Sequence, residues 1–261
     1  MCSSDLGDVI LGMVPGASTV EVTGIGAVEM SVGGALVLNS DLEITPASIL
    51  SIKVAGTAVF GVITGGNSAL TVTAGDDLTF QSASGVSALS MTSGDDLTMG
   101  TTDVSGPFAM IAAGSIFQNS GSTETSSTSE PSFFVAITGT VGTAEEPIII
   151  ECKSSQTFVG AAEVAYLEGH TLDDKVYCDP NDPPQGISLN GVMTYCTMPP
   201  PVDDVPANAF FVAGATTRQG SLAGDMYFLP DFITEETVDG GVMVFYIPSK
   251  GNRKVESIRR R

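Results

Sequence analysis

The chain has 261 residues, of which 43% are hydrophobic and only 15% charged, and its formal net charge is −20. This apolar content is enough for a folded core and excludes a disordered acidic chain. The acidic excess disfavours nucleic acid as a partner, because a polyanion would be repelled. We expect no transmembrane segment, since no run of about 18 apolar residues occurs.

The chain begins with a segment that we interpret as non-native. This segment is residues 1–7, of which the first six resemble the translation of a sequencing adapter, so the natural chain is expected to start further upstream. Residues 8–170 then contain short segments in which apolar residues alternate with polar ones between glycine-bearing turns. Alternation with period two in residues of high β propensity predicts strands with one buried face and excludes helices.

A repeat within residues 8–170 predicts the architecture. The segment Ser68–Phe80 recurs nineteen residues later as Ser87–Met99, and looser copies flank the pair at 52–60 and 110–117. One repeat of two or three short strands cannot bury its own apolar face, whereas stacked repeats can. The sequence therefore predicts an all-β fold, a parallel β-solenoid with one repeat per coil and coils about 4.8 Å apart.

The rest of the chain departs from the repeat. Residues 118–131 are a polar low-complexity segment that we expect to bulge from the solenoid as a loop. Residues 171–206 form an excursion rich in proline and aspartate, and residues 207–249 regain apolar, strand-like runs. The latter are predicted to be irregular final coils or a capping sheet. Residues 250–261 form a basic tail that we expect to be solvated.

The aspartates of the repeated turns form the first candidate site. Stacked coils would bring Asp76 and Asp77 to about 5 Å from Asp95 and Asp96. Three roles are open: hydrogen bonding to turn amides, binding of a hard cation, and acid–base cleavage of glycosides. The first is favoured, since glycine tolerates positive φ and aspartate binds nearby amides in turns. We assign no catalytic residue and expect no cofactor.

The other reactive residues form weaker patterns. His170 is the single histidine, and without a Gly-x-Ser-x-Gly elbow we interpret it as a surface residue. Cys178 and Cys196 are eighteen residues apart, so they can stack on adjacent coils as a disulfide or remain buried thiols. A second acidic group lacks an EF-hand spacing and is interpreted as turn residues: Asp173, Asp174, Asp179 and Asp182.

Several segments resemble one family of exoproteins. They are the Gly-Asp-Asp-Leu-Thr turns, Ala112–Ile116, and Val141–Ile150 followed by Ala165–Gly169. Over residues 30–170 the chain resembles filamentous-haemagglutinin-type exoproteins. The resemblance implies a right-handed parallel β-helix from a secreted or cell-surface bacterial adhesin, exported by two-partner secretion. It also implies an outer-membrane exporter, and a host-cell or glycan surface as partner.

Three hypotheses of function follow. The first is a non-enzymatic β-helical adhesin fragment that contacts host surfaces, glycans or other cells. The second is a β-helix polysaccharide hydrolase or lyase using the stacked carboxylates, although aromatic residues for sugar stacking make up only 7% of the chain. The third is a purely structural stalk. The resemblance favours the first.

Overall fold

The computed structural model is all-β, with no helix in the residues it describes. Those residues are 2–3, 9–11, 19–22, 26–44, 48–106, 108–122, 125–127, 132–151, 157–169, 175–178, 184–194, 209–214, 218–222, 225–229, 234–238, 242–247 and 253–254. The strands in chain order are β1 (Cys2–Ser3), β2 (Val9–Leu11), β3 (Thr19–Val22), β4 (Gly26–Val32), β5 (Leu36–Leu38), β6 (Asp41–Ile44), β7 (Ser48–Val54), β8 (Ala58–Gly65), β9 (Ala69–Ala74), β10 (Leu78–Val86), β11 (Ala88–Ser93), β12 (Leu97–Met99), β13 (Thr101–Val104), β14 (Phe108–Ala112), β15 (Ile116–Gln118), β16 (Thr125–Ser127), β17 (Ser132–Ala136), β18 (Ile148–Glu151), β19 (Thr157–Ala161), β20 (Val164–Gly169), β21 (Lys175–Cys178), β22 (Gly186–Leu189), β23 (Val192–Thr194), β24 (Ala209–Ala213), β25 (Arg218–Leu222), β26 (Asp225–Leu229), β27 (Thr234–Val238), β28 (Val242–Ile247) and β29 (Arg253–Lys254).

Two long sheets enclose one hydrophobic core. The first has the order β1-β4-β7-β9-β11-β14-β17-β19-β24-β21. The second follows β2-β5-β8-β10-β13-β16-β18-β20-β22-β23 and also contains β3, β6, β12 and β15. Between β4 and β19 the chain completes about six turns, passing from one sheet to the other. The predicted fold class, an all-β parallel solenoid, is confirmed.

The sequence repeat is one coil, as predicted. Leu70 of β9 pairs with Leu89 of β11, and Leu78 of β10 pairs with Leu97 of β12, so each step is nineteen residues. Leu89 in turn pairs with Phe108 of β14, again nineteen residues on. In β9 and β11 every second residue is buried, which is the one-faced burial that the alternation predicted.

One apolar column runs through the whole core in the second sheet. Each member pairs with the next coil's member, and none is more than 1% exposed. Full burial of such side chains contributes on the order of 1.5–3 kcal/mol for each large one. The column consists of Leu36, Ala58, Leu78, Leu97, Ile116, Val141, Ala165 and Ile187.

Two of the turn glycines are required because a Cβ would not fit at their positions. A Cβ on Gly94 would overlap the carbonyl oxygen of Gly75, and a Cβ on Gly75 would overlap that of Ala55. Neither glycine has a positive φ. The predicted turn is therefore confirmed, but positive φ is not its cause. Consecutive coils approach backbone to backbone at Gly75 and Gly94, and a side chain on either residue would meet the backbone of the preceding coil.

Part of the segment predicted to bulge lies in the second sheet. Within residues 118–131, β16 pairs in parallel with β13 on one side and β18 on the other. Its Thr-Ser-Ser sequence suits a strand because threonine has high β propensity and the neighbouring ladder offers backbone partners. The extra residues lengthen this coil, so that Phe108 pairs with Ser132, twenty-four residues later.

The end of the first sheet does not follow chain order. β24 lies between β19 and β21 and is parallel to both. A strictly sequential solenoid would instead place β21 directly on β19, since Thr157 and Lys175 are eighteen residues apart. The predicted final coils at 207–249 thus contribute one strand to the sheet out of order.

Antiparallel strands follow the regular coils. β22 and β23 form a hairpin at Asn190 and Gly191, whose φ angles of 51° and 75° are those that an Asn-Gly turn favours. β25 pairs with β26, and β28 lies between β27 and β29, in two small antiparallel sheets.

We expect Gly94→Ala to lower the free energy of unfolding by about 1–3 kcal/mol, because the new methyl must push two coils apart. Urea unfolding followed by circular dichroism measures the change. Gly61→Ala is the matched control, since a Cβ there meets its nearest atom at an ordinary 3.5 Å. Equal stability of the two variants would contradict the close approach at the corner.

We expect Thr102→Val to raise the free energy of unfolding by about 1–2 kcal/mol. Thr102 of β13 is fully buried, and its Oγ1 has no hydrogen-bond partner in the described part of the chain. Valine has nearly the same shape without the polar atom. Thr98→Val, at a partly exposed position of β12, should change stability by less than about 0.5 kcal/mol. Thermal unfolding of both variants tests the difference, and a destabilised Thr102→Val protein would contradict it.

Candidate functional site

The repeated aspartates lie in a stack of three-residue turns at one corner of the solenoid. Each turn joins a strand of the first sheet to a strand of the second. Asp77 and Asp96 immediately precede β10 and β12, and their carbonyl oxygens accept hydrogen bonds from Ala58 N and Leu78 N on the preceding coil, at 2.9 and 3.0 Å. The corner therefore continues the parallel hydrogen-bond pattern from coil to coil.

Side chains at the last turn position form a hydrogen-bonded column. Asp77 Oδ1 accepts from Asp96 N at 3.2 Å, and Asp96 Oδ1 accepts from Ser115 N at 2.7 Å. Ser115 Oγ then accepts from Thr140 N at 3.2 Å. Each side chain thus satisfies a backbone N–H of the following coil. The turn-amide role predicted for the aspartates is the one that Asp77 and Asp96 perform.

Ser93 stabilises the turn of the second repeat through hydrogen bonds between its buried hydroxyl and the turn backbone. Its side chain is 2% exposed, and its Oγ lies 2.6 Å from Asp76 O and 2.7 Å from Asp96 O. The single hydroxyl proton is donated to one of these oxygens, while Oγ accepts from Asp95 N at 3.3 Å. Ser93 therefore ties together the turns of two coils.

Three carboxylates converge at this corner. Asp77, Asp95 and Asp96 each place an oxygen within 4.8 Å of the others, and Asp76 is not part of the group. Asp77 and Asp95 are exposed and Asp96 is partly buried. Water screens the mutual repulsion, and backbone N–H groups offset part of it. The predicted approach of carboxylates on neighbouring coils is thus confirmed for these three.

Two kinds of chemistry are open to such a group. Three carboxylate oxygens supply part of the six to eight oxygen ligands that a calcium ion takes. A pair of carboxylates about 5 Å apart is also the spacing of a retaining glycosidase. However, one oxygen of Asp77 and one of Asp96 already bind backbone N–H groups. Asp95 is the member whose carboxylate has no such hydrogen bond among the described residues.

Of the other predicted site residues, one lies in a described strand and the rest lie outside the described residues. Cys178 is the last residue of β21 and pairs with Val212, whereas Cys196 lies outside the described residues. The disulfide between them stays a prediction. His170 also lies outside the described residues, as does the second acidic group: Asp173, Asp174, Asp179 and Asp182.

Sequence reasoning missed the serines that complete the corner. Ser93 replaces Ala74 of the preceding repeat, and Ser115 stands where the two earlier repeats have Asp77 and Asp96. Aligning the looser copy at 110–117 by its apolar residue, with Ile116 opposite Leu97, would have placed Ser115 in the column. No pattern in the sequence marks Thr140, because the following coil is longer and the alignment is lost there.

The chain matches no protein-family model, no curated protein and no solved structure. In the part of the chain that the structure describes, no helix is both long and apolar enough to cross a membrane. The class of fold, a parallel β-solenoid with an acidic turn column, is accordingly defined by the strand pairing and the internal repeat.

We expect Asp96→Ala to lower the free energy of unfolding by about 1–2 kcal/mol, because it leaves Ser115 N without its acceptor. Asp96→Asn should retain stability, since the amide oxygen can accept the same hydrogen bond. Asp95→Ala is the control for removal of a charge and should not destabilise. Denaturant unfolding of the three variants checks the order, and equal losses in both alanine variants would contradict the column.

Proposed function

We propose that this chain is a non-enzymatic, surface-contacting part of a β-helical exoprotein of the filamentous-haemagglutinin type. Its expected partners are host surfaces, glycans or other cells. The observation that carries the proposal is a regular grid of hydroxyl groups on the outward face of the first sheet. Secretion to the cell exterior and an outer-membrane exporter belong to the same proposal.

The hydroxyl grid consists of two rows. In one row Ser51, Thr71 and Ser90 pair from coil to coil, and in the other Thr73 pairs with Thr92. All five side chains are partly exposed. Within a row, residues on neighbouring coils are about 4.8 Å apart, and the two rows, which are two residues apart along each strand, are separated by about 6.6 Å. The grid is therefore flat, repetitive and polar.

Such a face suits contact with hydrated surfaces. Serine and threonine hydroxyls both donate and accept hydrogen bonds, as do the hydroxyls of sugars. The stacked coils restrict the motion of these short side chains, so little conformational entropy is lost when they bind. A grid of weak, equivalent contacts gains strength when many are made at once. These properties favour display and adhesion over chemistry on a single substrate.

The stacking also supports the family resemblance. Ile116, Val141 and Ala165, which lie in the segments that resemble the haemagglutinin-type repeats, occupy one column on consecutive coils. Segments that carry the resemblance thus have equivalent positions in the solenoid. A gene for an outer-membrane exporter beside the gene for this chain would support the export route.

Surface binding tests the proposal. We expect the full chain to bind a glycan array or cultured host cells, and the Thr71→Glu/Ser90→Glu variant to lose affinity by about tenfold or more, or about 1.4 kcal/mol. Thr79→Glu/Thr98→Glu is the matched control, because these paired threonines lie on the outward face of the second sheet. It should bind like the unmodified chain.

Two results would overturn the proposal. One is the absence of binding to every glycan and cell type tested, which would leave the stalk hypothesis. The other is cleavage of acidic polysaccharides that is lost in Asp76→Ala or Asp95→Ala, since that would show a carboxylate-dependent hydrolase or lyase. Circular dichroism on each variant separates loss of binding from loss of fold.

A further inference from the structure

The outward face of the first sheet changes character at β14. On β7, β9 and β11 the two rows that continue onto β14 carry serine, threonine and lysine and are partly exposed: Ser51, Lys53, Thr71, Thr73, Ser90 and Thr92. From β14 onward the same rows continue as apolar residues. Ala109 follows Ser90, and Ile111 follows Thr92. Phe133 and Val135 of β17 and Phe158 of β19 extend them.

This outer apolar patch is covered. Its five residues Ala109, Ile111, Phe133, Val135 and Phe158 are between 0% and 5% exposed, although they point away from the core. All residues of β14, β17 and β19 are buried, whereas β9 and β11 bury only every second one. These exposures are those of an isolated chain, so the covering atoms belong to the same chain.

Contacts within the sheet do not account for the burial. The rings of Phe133 and Phe158 stack with centroids 5.1 Å apart, which protects the sides that face each other along the sheet. Ile137 packs against Ile111 and Val135 but is itself only partly buried. The outward sides of the two phenylalanines need a further layer, and a second sheet packs at about 10 Å from the first.

We propose that the C-terminal strands β26, β27 and β28 form this layer, as a side cover over the outer apolar patch. β24 leads directly to it: Phe210 of β24 pairs with Thr157, next to Phe158. Gly214 and the first residue of β25, Arg218, are four residues apart, which limits their separation to about 14 Å. The first small antiparallel sheet therefore begins within that distance of the end of β24.

The composition of β26 and β28 fits that position, while β27 between them in the chain carries Glu235 and Glu236. β28 has the sequence Val-Met-Val-Phe-Tyr-Ile without a charged residue, and Met226–Leu229 of β26 are Met-Tyr-Phe-Leu. The two-stranded sheet of β25 and β26 is of a kind that is at best marginally stable alone in water. Two other segments, 118–131 and 195–208, are rich in polar residues or proline. A cover that contains β26 and β28 buries both apolar surfaces at once.

Site-specific photo-cross-linking in the full chain tests the cover. The photoreactive analogue p-benzoylphenylalanine replaces Phe228 or Phe245, and mass spectrometry maps the products. We expect cross-links within one molecule to residues 109–111, 133–135 and 158. The reciprocal probe in place of Phe133 should reach 225–247. A probe in place of Thr73, on the row of Ile111 but two coils earlier, should give only background there.

Three outcomes would overturn the proposal. Cross-links from the Phe133 position to 118–131 or 195–208 would assign the cover to another segment. Cross-links between two molecules would make the patch an interface between copies. Absence of cross-links between 225–247 and the patch, in protein whose circular dichroism matches that of the unmodified chain, would show that these strands lie elsewhere.

Discussion

Every coil of this solenoid has to present its backbone to the next at the spacing of a parallel sheet. Hydrogen bonds between coils impose a residue-by-residue register, which places Leu78 beside Leu97 in the core and one turn upon another at the corner. At that corner the register leaves no space for a Cβ between Gly75 and Gly94. Core composition, turn sequence and surface pattern all follow from this stacking.

The same stacking gives the acidic turns their role. A turn between two sheets exposes N–H groups that the next coil must satisfy, and a short carboxylate is placed to do so. Asp77 and Asp96 accept such hydrogen bonds, and Ser115 takes over where the aspartate is absent. Carboxylates therefore accumulate along the corner for structural reasons, while the hydroxyl grid on the adjacent face remains available for contact.

Much of this could be predicted from the sequence because the repeat is nearly perfect between residues 68 and 99. One-faced strands, the nineteen-residue coil and the approach of Asp77 to Asp96 all follow from that regularity. The cause of the turn glycines did not follow, since positive φ and close backbone approach both select glycine. Ser93 and Thr140 act through contacts with other coils, so their own neighbours in the chain do not reveal them.

The sequence by itself determined the class of fold and the length of a coil, because both depend on a local period that can be counted. Only the tertiary structure decided which strand follows β19 and which way its side chains face. Phe133–Ala136 and Phe210–Ala213 are both Phe-Phe-Val-Ala, yet Ser132 and Phe210 occupy the same register position beside Thr157. A shift of one residue exchanges the two faces of a strand. Where both faces of a strand are buried, apolar alternation no longer distinguishes the possible registers. Packing against the neighbouring coils then decides which register the strand adopts.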